Sequence, residues 1–427
     1  MTLRRHLPPS LVLAALCVVA RPAHAADSLA VSHDPPPRRE WRRVDAWGVT
    51  RQAALMRDLP ASLGVIASDL ITDLGARDLA EMSRALAGSP PDPSEPESGA
   101  WTVRGFAPSP LAPTLANGAR HAYGHGPIDP VSVDHLERLQ GVLDPVYGAV
   151  GSPGGSLLRV GRSPTLEPLR AITLGGDANG RLRGTLDVSD VLGRGRATYR
   201  VTGALDRLRD VRSLDEAGTG AALSPVVAWP MRENMHLTLR ANHAQRTRRA
   251  DPGLPLSEIA LAGPRDAWYG DRHGASVRTA ATDATVEFTY DPEGEVRLRQ
   301  RLSFDRTTRR GADTHLLGTT TDGSVLRGRR ELDRRTHGFD AQSEAVIAFL
   351  TGGRQHQGVV GVEIAGARIE RDASETVFDV VPITGTPTAD STIGHGAAAA
   401  WRGDDRAFAV YVNDQVTLGP RLRASFG

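Results

Sequence analysis

Two stretches decide the fold: Arg181-Leu-Arg-Gly-Thr-Leu-Asp-Val188 and Val296-Arg-Leu-Arg-Gln-Arg-Leu-Ser-Phe-Asp305. In the first, Leu182, Gly184, Leu186 and Val188 share one face, while Arg181, Arg183, Thr185 and Asp187 share the other. In the second, Val296, Leu298, Leu302 and Phe304 oppose Arg297, Arg299, Arg301 and Asp305. A period of two belongs to extended chain, whose successive side chains point to opposite faces. The pattern recurs in Ala197–Leu205, Met235–Gln245, Thr285–Tyr290 and Phe408–Asn413, and about eleven such segments run between Leu169 and Phe426. Their links alternate between tight, as in Asp291-Pro-Glu-Gly294, and long and polar, as over 246–274 and 306–334.

Alternation does not by itself identify the solvent, because a soluble β-sandwich and a membrane β-barrel both read apolar on one side and polar on the other. Three features favour the barrel. Arg4 and Arg5, the apolar Leu11–Ala20 and Ala23-His24-Ala25 form an export signal over residues 1–25. Short and long connections alternate. The polar faces are rich in Arg, Thr, Asp and Asn, as a wet lumen would be. Against this, 5% aromatic residues is thin for two aromatic girdles.

Composition removes other classes. The longest apolar run is too short for a helix that needs about 20 residues to span a bilayer, so helical channels and transporters are out. The 427 residues carry 51 basic side chains, all of them Arg, against 50 acidic ones, and a net charge of +1 offers nucleic acid no global field. The single cysteine, Cys17, lies inside the export signal, so the mature chain needs neither disulfide nor thiolate metal site. No G-x-S-x-G, H-E-x-x-H, Walker A or Rossmann fingerprint is present, and an enzyme is not expected.

Ahead of the alternating region the pattern is mixed α and β. Residues 26–45 read as a polar, Pro- and Arg-rich arm. Leu63–Ala67 is a short strand, and Ser68 or Asp69 caps a helical turn that runs to Gly75. Asp78 starts a second helix with Leu79, Met82 and Leu86 on one face. A strand-like Trp101–Phe106, a second apolar stripe at Val133, Leu136 and Leu139, and a glycine-rich Gly148–Gly155 follow.

The order of these pieces carries a resemblance. Asp58-Leu-Pro-Ala-Ser-Leu-Gly-Val-Ile66, Val103-Arg-Gly-Phe106, Asn117-Gly118, Ile128-Asp-Pro130, Gln140-Gly-Val-Leu-Asp-Pro-Val-Tyr-Gly148 and Pro153-Gly-Gly155 resemble successive motifs of the plug domain of TonB-dependent siderophore receptors. The hydroxamate-type members are the most similar at Asn117-Gly118. Trp268-Tyr-Gly-Asp271, His356–Glu363 and Val412–Leu418 extend the resemblance into the barrel. It implies a mainly β protein: an α+β plug over 46–165, then an antiparallel transmembrane β-barrel over 166–427. About eleven strands is half of the 22 the family implies, so the chain is expected to be a truncated receptor. Open strand edges in lipid would leave such a half-barrel in doubt as a working receptor.

The resemblance also implies function. A ferric siderophore would be the transported ligand, with no intrinsic cofactor and no protein metal ligands. The partners would be TonB, pairing with a box in the arm (Ser28–Val31 or Arg43–Ala46), and outer-membrane lipid. Arg104, Arg120, His121, Tyr123, His125 and Tyr147 are the ligand-binding candidates, within or near an apical stretch 117–126 that would face outward. Arg104 is expected first as a buried partner for a barrel carboxylate. Gly105, Phe106, Gly141, Gly148, Gly154 and Gly155 are expected to serve plug geometry. A receptor of the same build for cobalamin, haem or an oligosaccharide stays open, as does a non-transporting fragment or secreted β-rich module.

Overall fold

A computed structural model describes residues 45–46, 51, 54–56, 59, 62–86, 88–89, 102, 114–121, 126–140, 155–178, 180–193, 195–209, 216–249, 251–255, 268–270, 276–292, 296–320, 324–382, 396–419 and 422–427. The export signal, most of the arm and both candidate TonB boxes except Asp45-Ala46 fall outside them. Described residues all belong to one compact unit, Glu40–Gly427.

The alternating segments form one antiparallel sheet of eleven strands, as many as the pattern led us to expect. They are β8 (Leu169–Gly176), β9 (Leu182–Val191), β10 (Thr198–Arg209), β11 (Glu216–Arg232), β12 (Met235–Arg249), β13 (Ser276–Tyr290), β14 (Val296–Thr319), β15 (Val325–Thr351), β16 (Arg354–Val381), β17 (Ala398–Gly419) and β18 (Leu422–Phe426), each paired with its sequence neighbour. This is the mainly β, partial-barrel architecture. Two-residue turns at Glu233-Asn234 and Gly352-Gly353 mark one end; the connections after β12 and β16 mark the other. Gly352 and Gly353 take φ of 57° and 76°, the left-handed pair that suits the twist of a tight hairpin.

The sheet's two sides differ as the period of two requires. Leu302, Ile364 and Phe408 are exposed on one side, in a hydrogen-bonded row that also contains Ala341. Ser303, Asp340, Glu363 and Tyr411 are buried on the other, against the preceding domain. No described helix is long and apolar enough to cross a membrane.

That domain is built on a five-stranded sheet, ordered β3 (Ser62–Ala67), β6 (Val133–Gln140), β7 (Ser156–Gly161), β4 (Thr114–Ala116) and β5 (Ala119–His121). A two-stranded pair, β1 (Asp45–Ala46) with β2 (Ala54–Leu55), precedes it. Helices α1 (Ser68–Asp73) and α2 (Leu79–Ser83) follow β3. Ile66, Ile71, Leu79, Met82, Leu86, Val133, Leu136 and Leu157 close a core between sheet and helices. Asp78 caps α2 as expected, accepting from the Glu81 amide at 2.8 Å.

Three expectations need correction. The α1 cap is Ala67, with no side-chain bond, and Ser68 is already helical. The stripe Val133, Leu136, Leu139 has a helical spacing but lies on strand β6, between β3 and β7. His135, Glu137 and Arg138 are buried there too, because β6 is covered on both sides, Val133 and Leu136 joining the core with α1 and α2 and Leu139 a second cluster with Leu59, Leu115 and Leu158, so no two-fold alternation survives in the sequence. Residues 306–334, expected as a long polar link, are mostly strand: β14 and β15 pair from Val296↔Ile347 to Thr319↔Val325, with one register shift between Leu316 and Gly318. Arg306 and Arg310 replace the apolar residues on the outer side there, which erases the alternation without breaking the ladder.

Candidate functional site

The seam between the small domain and the large sheet is where buried charge collects. Arg51 is 1% exposed and has a left-handed φ of 57°. Its Nη1 donates to Glu344 Oε1 at 2.8 Å, to Tyr411 Oη at 2.8 Å and to Gln342 Oε1 at 3.2 Å, and its Nη2 donates to Glu363 Oε2 at 3.0 Å. Arg299 closes the cluster, donating Nε to Glu344 Oε2 at 2.6 Å and Nη2 to the Arg51 carbonyl at 2.8 Å. Strand register explains the convergence. Arg299, Glu344, Gly361 and Tyr411 are consecutive cross-strand partners, and Arg301, Gln342 and Glu363 form the adjacent same-side row. Tyr411 reaches Glu344 because it lies across Gly361, where a Cβ would run into its ring.

The Asn117-Gly118 hairpin docks beside this cluster. Asn117 and Gly118 have φ of 51° and 85°, and Asn117 Oδ1 accepts from the Gly161 amide at 2.8 Å. The Gly118 carbonyl accepts from Gln342 Nε2 at 3.0 Å, and Arg120 Nε lies 3.5 Å from Glu363 Oε1. Arg120 is buried, and His121 is half-buried with its Nε2 enclosed. Gly126 abuts Ala281, leaving no room for a side chain.

Further pins lie along the seam. Arg159 Nη2 donates to Asp283 Oδ1 at 2.9 Å, an oxygen that Asn242 also binds at 3.1 Å. Arg183 bridges Asp129 of the small domain and Asp206 of its neighbouring strand, at 2.6 and 2.7 Å. Arg246 holds Asp78 at 2.8 Å, and Arg162 donates to Asp187 at 2.7 Å. Buried pairs of this kind gain little over an apolar contact, but removing one partner strands the other charge. They therefore set register between two bodies more than they add stability.

Arg120 and His121 are brought to the seam, with Arg120 facing a carboxylate of the large sheet. Arg104, Tyr123, His125 and Tyr147, with Gly105, Phe106, Gly141, Gly148 and Gly154, lie outside the described residues. Gly155 is described, with φ of 109°, and leads into β7. The sequence reading missed Arg51, Arg159, Asp283, Glu344, Glu363 and Tyr411 as seam residues. Alternation places the strand residues on the polar side, but nothing local marks which of many polar side chains meets the small domain.

A small α+β domain pinned by arginine–carboxylate pairs to the polar side of an eleven-stranded antiparallel sheet defines a partial β-barrel with a cork. Comparison with known proteins names the cork: residues 56–156 match the TonB-dependent receptor plug domain. The chain is 26% identical over 369 residues to a probable TonB-dependent receptor, BfrD, of Bordetella pertussis, covering 81% of this chain and 47% of that one. It is 30% identical over 132 residues to the ferrichrome outer membrane transporter/phage receptor of Escherichia coli, covering 30% of this chain and 17% of that one. Its fold superposes on the siderophore receptor PiuA of Acinetobacter baumannii with a TM-score of 0.75 at 16% identity, over 90% of this chain and 59% of that one. The resemblance to TonB-dependent siderophore receptors is thus borne out in the plug domain and in the plug-plus-barrel fold. The chain spans about half the length of the Bordetella relative, 47%.

Proposed function

We propose that the protein is an outer-membrane receptor that takes up a ferric siderophore in a TonB-dependent manner. The carrying observation is the seam itself: Arg51, Arg120, Arg159 and Asp129 of the plug each meet a charged partner on the large sheet. A pore corked this way cannot leak a large chelate, so tight binding outside must be followed by energy-driven movement of the cork. Many charged pairs suit that task, because they specify one seating and yet exchange for water when pulled apart.

In this reading residues 1–25 direct export, 26–45 carry the contact for TonB, 46–165 are the plug and 166–427 are barrel. The exposed row of Leu302, Ile364 and Phe408 faces lipid, which suits strands that need about 9–11 residues to cross a bilayer. The two-residue turns are periplasmic and the long connections extracellular. Arg104, Tyr123, His125 and Tyr147 join Arg120 and His121 as candidate ligand contacts. The iron arrives already chelated, as cargo rather than as a resident cofactor. The test is growth of an iron-starved host, lacking its own receptors, on defined ferric siderophores. Rescue that disappears on deleting residues 26–50 supports the reading; no rescue by any ferric siderophore, with the protein present in the outer membrane, would refute it.

A further inference from the structure

The outer side of the large sheet changes character over a few residues beyond the charge-free row of Leu302, Ala341, Ile364 and Phe408. The next row of cross-strand partners is Phe304, Phe339, Gly366 and Arg406. Both rings are exposed, and that of Phe339 lies over Gly366, where an added Cβ would be 2.4 Å from it. Two rows of charge follow: Arg306, His337, Arg368 and Asp404, then Thr308, Arg335, Glu370 and Arg402. Arg368 is held by Asp404 at 2.7 Å, and Arg335 by Asp333 at 3.0 Å. Arg306, Arg402 and Arg406 are exposed and make no hydrogen bond or ion pair among the described residues. Three unpaired guanidinium groups therefore border an apolar belt, where a lipid layer presents its phosphates.

The row after these carries Arg310, Asp333, Asp372 and Ala400. Together with Ser374 they line a hollow of about 850 Å³. Cationic donors and carboxylate acceptors stand there beside small side chains. Such a lining suits hydroxyl-bearing rings, because each hydroxyl both donates and accepts. A phosphate on a glycerol head group would meet the arginines but leave the hollow unfilled.

We infer that the outer surface of β14–β17 holds a glycolipid with a phosphorylated sugar head group. Its acyl chains lie on Leu302, Ile364 and Phe408, its phosphates meet Arg306, Arg402 and Arg406, and its sugars enter the hollow. Guanidinium forks match phosphate oxygens in geometry as well as charge. This rests on the receptor reading, which puts that side in lipid, and it adds a partner separate from the cargo.

The experiment is native mass spectrometry of the purified full chain in detergent, with a chelator present so that no divalent cation bridges carboxylate to phosphate. The probes are a bisphosphorylated, acylated diglucosamine, the same lipid without its phosphates, and phosphatidylglycerol. The first should bind at least about tenfold more tightly than either of the others, and its affinity should fall with added salt. Arg306→Gln combined with Arg402→Gln, both at exposed positions, should weaken it about tenfold. Arg354→Gln, exposed beside the two-residue turn Gly352-Gly353 at the opposite end of the strands, should leave it unchanged. Equal affinity in wild type and the double variant, or equal affinity for the bisphosphorylated lipid and either other probe, overturns the inference and leaves the receptor reading standing. Retention of none of the three overturns the inference together with the lipid-facing placement of this side.

Discussion

The guanidinium of Arg51 lies 4.0 Å above the ring of Tyr411, and its Nη1 donates to Glu344 Oε1, a residue 293 positions away in the chain. Arg51 precedes the first strand of the plug sheet, so among the described residues this cluster is the first seam contact along the chain from the arm. Arg51→Ala leaves Glu344 and Glu363 facing each other across a hole, still buried. Loss of one partner from such a site costs about 3–5 kcal/mol. Hydrogen exchange should show protection falling in β3 and β6 while β14–β16 keep theirs. Unchanged plug protection would remove Arg51 from the role of anchor.

Gly361 and Gly358 provide a matched pair on β16. Gly361 lies under the Tyr411 ring, so Gly361→Ala drives that ring off its place and takes with it the cation–π contact and the hydroxyl bond to Arg51. The expected loss is about 2 kcal/mol, a hydrogen bond plus a desolvated cation–π contact. At Gly358 the nearest atom to an added Cβ is 3.6 Å away, so Gly358→Ala should be neutral or slightly stabilising. Urea midpoints of the two variants decide the matter, and equal midpoints would mean that the Tyr411 placement contributes nothing.

The fold was legible because strands such as β14 alternate cleanly where one side meets the plug and the other stays apolar, as Val296 to Asp305 do. Legibility failed for two opposite reasons. Strand β6 is buried on both sides, so Val133, Leu136 and Leu139 take a helical spacing by accident. From Arg306 to Arg310, β14 is polar on both sides, and Arg306 and Arg310 hide a strand that continues to Thr319. The seam was harder still. Arg51 sits in a stretch with no periodicity, and its partners lie near positions 344, 363 and 411, brought together only by the register of four strands. The expectation of a buried plug arginine on a carboxylate of the large sheet concerned Arg104, which lies outside the described residues; Arg51, Arg120 and Arg159, not singled out for it, make contacts of that kind.

Asn117 does two things that different substitutions separate. Its φ of 51° suits asparagine or glycine, and its Oδ1 binds the Gly161 amide at 2.8 Å. Asn117→Gly keeps the turn and loses the bond, an expected cost of about 1 kcal/mol. Asn117→Ala loses the bond and also strains the left-handed turn, adding about 1 kcal/mol more. Thermal unfolding should therefore rank wild type above Asn117→Gly above Asn117→Ala. If the last two are equal, backbone conformation is not what selects asparagine at the hairpin that seats Arg120 beside Glu363.

Leu302 tests the solvent of the outer side. It is 40% exposed and continues through Ala341 into Ile364 and Phe408 on neighbouring strands, a row with no charge in it. In water, an exposed leucine on a sheet accepts arginine at little cost. In lipid, arginine near the bilayer midplane costs about 2–4 kcal/mol, falling to about 0–1 near the interface. Leu302→Arg should therefore destabilise the protein refolded in phospholipid vesicles by about 2–4 kcal/mol, whereas Arg306→Lys, four residues on along the same outer side, should change it little. Substituting the plug-facing Ser303, buried on the opposite side of the sheet, would confuse lipid exposure with seam packing, so the outer-side comparison is the cleaner one. Equal stability of Leu302→Arg and wild type in vesicles would place this side in water and end the barrel reading.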